Sequence, residues 1–102
     1  MKIDFDQLKS MLDKFLEAEI PFITLDTMGF PEEPGEEKNK FLFHLLLLVE
    51  NGMISNSKLV TGDPEKIGLS YRNTRITTWP TLIRLTQSGH DFAKALHQKP
   101  VL

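Results

Sequence analysis

The sequence predicts a single α+β domain, and three observations carry the prediction. Apolar residues recur at helical spacing from Phe5, and a dense apolar stretch of helical length follows at residues 36–51. Residues 54–85 begin and end in short β-branched runs with turn formers between them, the pattern of a long two-stranded hairpin. A last segment opens on Thr86 and sets Gly89, Phe92 and Leu96 on one helical face. The 102 residues match the size of one compact domain, and 40% hydrophobic with 25% charged residues is an ordinary globular composition.

Each element has a local reason. Asp4 is placed to accept from the free amides of a first helical turn, with Gln7 positioned to reach back. Phe5, Leu8, Met11, Leu12, Phe15 and Leu16 then line one face, with Asp6, Lys9, Asp13, Lys14 and Glu17 opposite. Glu19, Ile20 and Pro21 end this helix, because the residue before proline is pushed out of the α region. Phe22, Ile23, Thr24 and Leu25 are short, aromatic and β-branched, and read as a strand. Residues 29–35, with Pro31 and Pro34, read as a loop.

The second helix spans 36–51. Glu36 and Glu37 suit its positive end, and Asn51-Gly52 stops it. Met53 and Ile54 lead into a strand continuing through Lys58, Leu59 and Val60. Residues 61–78 hold few apolar side chains and read as the hairpin connection. Thr81, Leu82, Ile83, Arg84 and Leu85 form the returning strand, with Ile83 and Leu85 inward and Arg84 outward. Thr86 caps the last helix.

Helix, strand, helix, long two-stranded wing hairpin and C-terminal helix is the order of a winged helix, a helix-turn-helix variant. One helix of the usual trihelical core is not evident; it is either a short turn at 32–36 or missing. Residues 44–54, His-Leu-Leu-Leu-Leu-Val-Glu-Asn-Gly-Met-Ile, resemble the passage by which many winged-helix regulators leave their recognition helix. Residues 85–92, Leu-Thr-Gln-Ser-Gly-His-Asp-Phe, are similar to the ending of a family of short bacterial and phage proteins of unknown function. The resemblance implies a winged-helix fold and a bacterial or phage setting, and no activity.

Several function classes are excluded or left without support. Without cysteine there are no disulfides, thiolate nucleophiles or Cys-ligated metals. The apolar run at 45–49 is far shorter than the roughly 20 residues of a membrane span, and the acidic N-terminus is unlike a signal peptide, so a cytoplasmic protein with no membrane partner is expected. Ser88, His90 and Asp91 have triad residue types, but neighbours on one helix project apart, so no catalytic residues are assigned and no enzyme is expected. His44, His90 and His97 lack metal-ligand spacing, and no metal or cofactor is expected. Residues 62–68 lack the Gly-Lys-Ser/Thr ending of a phosphate loop, and Asp63-Pro64 reads as a turn.

Charge supplies the positive indication. Net charge is −2, yet residues 1–51 carry five lysines against eleven carboxylates and residues 52–102 carry seven cations against three. Every arginine lies between residues 72 and 84, beside Tyr71 and Trp79, on what reads as a wing. The first expectation is therefore a small DNA-binding regulator. Arg72, Asn73 and Arg75 would grip backbone or minor groove, Lys38, Lys40 and His44 would approach the major groove, and Lys58 and Arg84 would add phosphate contacts. A recognition helix needs a polar face, however, and eight of the nine residues at 41–49 are apolar. The alternative is a protein-protein interaction module that has lost its DNA role. Phe41, Leu42, Phe43, Leu45, Leu46, Leu47, Leu48 and Val49 exceed what one small core is expected to take, which predicts a homodimer.

Overall fold

The computed structural model describes residues 1–73 and 75–98. Helix α1, Phe5–Glu17, begins where Asp4 accepts from the amides of Asp6 and Gln7, and it buries Leu8, Met11 and Leu12. The strand expected at 22–25 is reduced to Ile23, which exchanges two backbone hydrogen bonds with Ile83, at 2.9 and 2.8 Å. Chain direction changes at once, because the Thr24 hydroxyl caps a one-turn helix α2, Leu25–Met28, that closes on Gly29 at φ 102°. This short helix α2 is not evident in the sequence, and no separate helical turn forms at 32–35. β-branched and aromatic composition favoured a strand; the Thr24 cap and Gly29 stop outweigh it.

Helix α3, Glu36–Glu50, follows the expected boundaries to within one residue. It ends through Gly52, at φ 67°, and an amide–carbonyl bond from Met53 to Leu48 at 2.9 Å. Strand β1, Ile54–Asn56, is shorter than expected. Asn56 stops it by accepting the amides of Lys58 and Val60 on its side-chain oxygen, which folds residues 57–60 into a turn with Leu59 at φ 66°.

Residues 54–85 do not form one long two-stranded hairpin. Strand β4, Ile83–Leu85, pairs with β1 in the antiparallel register Ile54↔Leu85, Ser55↔Arg84 and Asn56↔Ile83. Nested between them is a second antiparallel ribbon, β2 (Leu69–Arg72) and β3 (Arg75–Thr78). A 3-10 turn at Pro64–Ile67, capped by Asp63 and closed at Gly68, delivers the chain to β2 and buries Ile67 and Leu69 completely. Those two side chains are, among the described residues, the deep anchors of a segment read as connection, which is why a local count of apolar residues does not reveal the inserted structure. Helix α4, Gln87–His97, starts as expected, with the Thr86 hydroxyl accepting the Gly89 amide at 3.1 Å.

The result is an α+β fold of four α-helices and two small antiparallel sheets among the described residues. One core gathers Met11, Leu12, Leu45, Ile54, Ile67, Ile83 and their neighbours. Helix α3 contributes Phe41, Leu42, His44, Leu45, Leu48 and Val49 to it. Phe43 and Leu47 are half-buried and Leu46 of the eight apolar residues is exposed, so most of α3's apolar excess is core. The helix is enclosed from several directions, which its length and one-dimensional pattern do not reveal.

Candidate interaction surface

His44, Lys40 and Lys38 of α3 are engaged within the chain. His44 has no solvent exposure. Its Nδ1 lies 2.7 Å from the Lys40 carbonyl, a pure acceptor, so Nδ1 carries the proton. Its Nε2 therefore accepts the Asp4 backbone N–H, at 2.9 Å. A side chain so enclosed cannot reach a DNA groove, which corrects the assignment of His44 to major-groove contact. Lys40 is also engaged, its Nζ forming a 2.7 Å ion pair with Asp4 Oδ2. That ammonium first, and the Gln7 amide next, hold the Asp4 carboxyl below its ordinary value. Lys38 is half-buried, with its Nζ 3.4 Å from the Glu32 carbonyl and 5.7 Å from the centre of the Phe30 ring.

With the core positions subtracted, the spacing of α3 leaves one outward stripe: Glu36, Asn39, Phe43, Leu46, Leu47 and Glu50. These residues are exposed or half-buried, and the cation beside them, Lys40, is paired with Asp4. Beside the stripe, Ile3 and Phe5 are 50% and 58% exposed. They join two depressions. One, of about 230 Å³, is walled by Phe5, Leu47, Met53 and Phe92; the other runs along Asp4, Glu36, Asn39 and Lys40. Together they make a groove along α3 that is apolar at Phe5, Leu47, Met53 and Phe92 and polar at Asp4, Glu36, Asn39 and Lys40. Sequence reasoning placed Phe5 on the core face of α1 and did not identify Ile3, Met53 or Phe92. The available signal was that Ile3 and Phe5 flank the Asp4 cap, where a helix has not yet turned its side chains inward.

The cations of residues 58–84 are placed differently. Arg72 and Arg75 face each other across the end of the β2–β3 ribbon, and both are exposed. Arg72 touches Glu65 at 3.3 Å, while Asn73 holds the turn at φ 51°. Lys58 is exposed in the turn after β1. Arg84, opposite Ser55, is half-buried and borders a separate depression with Phe15, Leu16, Ile20 and His90. Only Arg72, Asn73 and Arg75 of the eight expected contact residues are therefore gathered at one place.

Ser88, His90 and Asp91 lie exposed on the first turns of α4, where Asp91 accepts from Gln87 at 3.0 Å. Among the described residues no group of three or more His, Asp or Glu is arranged to hold a metal ion, and no helix is long and apolar enough to cross a membrane. The chain matches no protein-family model, no curated protein and no solved structure.

Proposed function

We propose that this chain is a winged-helix domain that binds another protein through the outward face of α3. The observation that carries the reading is the stripe of Phe43, Leu46 and Leu47 between Glu36 and Glu50, where the neighbouring cation, Lys40, is already paired with Asp4. Support for the winged-helix assignment comes from the element order and from Ile23, which pairs with Ile83 on the side of β4 opposite β1. A base-reading α3 would present donors and cations to base edges and phosphates. Here two carboxylates would repel phosphate, Lys40 is paired with Asp4, and His44 is enclosed. Apolar residues at helical spacing beside a groove suit instead an amphipathic partner helix. Basic residues flanking its apolar ridge would complement Glu36 and Glu50.

The test places a photoreactive residue at Leu46 and, separately, at Arg75, in the chain expressed in its native cells. Saturable cross-linking of one protein at position 46, lost in Phe43→Glu, is the expected result. Sequence-preferring binding of the purified chain to duplex DNA at about 50 mM salt, weakened by Asn39→Ala, would assign α3 to a groove and overturn the reading. Cross-linking to a second copy alone would make this face a self-association surface.

A further inference from the structure

The β2–β3 ribbon sorts its side chains by face. Ser70 lies opposite Thr77 and Arg72 opposite Arg75, while Leu69, Tyr71, Ile76 and Thr78 alternate with them. Two hydroxyls and two guanidinium groups therefore share one side, and with Asn73 they border an open depression of about 370 Å³. Fold stability does not explain the arrangement, because like charges directly opposite in a strand pair are destabilising. Nor are both charges compensated: Arg72 meets Glu65 at 3.3 Å through an exposed contact, and Arg75 forms no ion pair among the described residues.

The donors have a chemical preference. Each guanidinium offers five N–H groups in a planar fork, and the hydroxyls add two rotatable donors. A lone carboxylate is satisfied by one such fork, whereas successive phosphodiesters of a nucleic-acid strand present one anion, with two non-bridging oxygens, to each of two forks. The depression is open to solvent, so it admits a polymer passing across it and does not enclose a small ester. We propose that Ser70, Arg72, Arg75 and Thr77 form a binding face for the phosphodiester backbone of nucleic acid, recognised by charge and not by sequence. This face is separate from the α3 stripe and does not depend on the reading given to it.

The experiment is fluorescence anisotropy with the full chain and labelled duplex and single-stranded oligonucleotides. Binding is expected to weaken roughly tenfold between about 50 and 200 mM salt, as two phosphate contacts require. Arg72→Ala and Arg75→Ala are each expected to lower the log–log salt slope by about 0.9 on duplex, with the melting temperature unchanged. Glu65→Gln releases Arg72 and is expected to strengthen binding severalfold, a gain that a misfolded variant cannot produce. Ser70→Ala combined with Thr77→Val is expected to weaken binding severalfold at an unchanged slope. Leu46→Glu, on α3, is expected to have no effect; a loss there would move the nucleic acid to α3 and overturn the assignment. It is equally overturned by no binding at about 50 mM salt, by an unchanged slope in the double arginine variant, or by preference for a phosphopeptide over an oligonucleotide of equal charge.

Discussion

The backbone N–H of Asp4 donates to Nε2 of His44 across 40 positions of sequence, at 2.9 Å. The residue that caps α1 is thereby tied to the middle of α3, and the Lys40–Asp4 ion pair at 2.7 Å repeats the connection one helical turn earlier. His44→Ala leaves a part-buried donor without its partner, which costs about 1–3 kcal/mol. The expected melting-temperature loss is roughly 4–8 °C for each kcal/mol, read by calorimetry or circular dichroism. Because His44 touches no solvent, the substitution is expected to leave the salt slope of nucleic-acid binding unchanged.

Asp4 gives this junction a pH dependence of definite sign. Its carboxyl is held below the ordinary value of 3.8, chiefly by the hydrogen bond from Lys40. A depressed folded-state value means the stabilisation is present above the unfolded value and is lost as pH falls through the folded one. Asp4→Asn is therefore expected to lower the melting temperature at neutral pH. The gap from the unsubstituted chain should close in acid below about pH 4. A constant gap across that range would show that the carboxylate charge contributes nothing.

Gly89 tests the seating of α4. A side chain built at this position would run into the backbone carbonyl of Met53, and into Leu85 at 3.0 Å. The carbonyl is main chain and accepts the Thr86 amide at 3.0 Å, so it cannot swing aside as a flexible side chain would. Gly89→Ala is expected to cost about 1–3 kcal/mol by overpacking, although alanine is the better helix former. Equal or greater stability in urea denaturation would contradict the close approach.

Adjacent leucines of α3 are expected to behave in opposite ways. Leu45 is fully buried and Leu46 is 36% exposed. Leu45→Glu places a charge in the core and is expected to abolish cooperative unfolding, since several kcal/mol exceed a large part of a domain's stability. Leu46→Glu is expected to change stability by less than about 0.5 kcal/mol, which makes it a clean probe of the outward face. Thermal denaturation of the two variants side by side decides whether α3 is oriented as described.

Neighbouring residues set the local features of the fold. Asp4 and Thr86 cap helices because their side-chain oxygens reach amides two or three positions on. Gly52 ends α3 because it accepts a positive φ, and Ile83 and Leu85 face inward because strand alternation has a period of two. Tertiary structure decided whatever depends on partners distant in the chain. His44 and Lys40 carried groove-reading chemistry by residue type, and their roles changed only when folding brought Asp4 against them. Phe22, Ile23, Thr24 and Leu25 had strand composition, but Ile83 offered a ladder only to Ile23 while Thr24 opened a helix. Ile67 and Leu69 were two apolar residues among turn formers until the core received them. The apolar length of α3 looked surplus because a sequence pattern counts hydrophobic residues, whereas packing against several elements sets how many of them one chain can enclose.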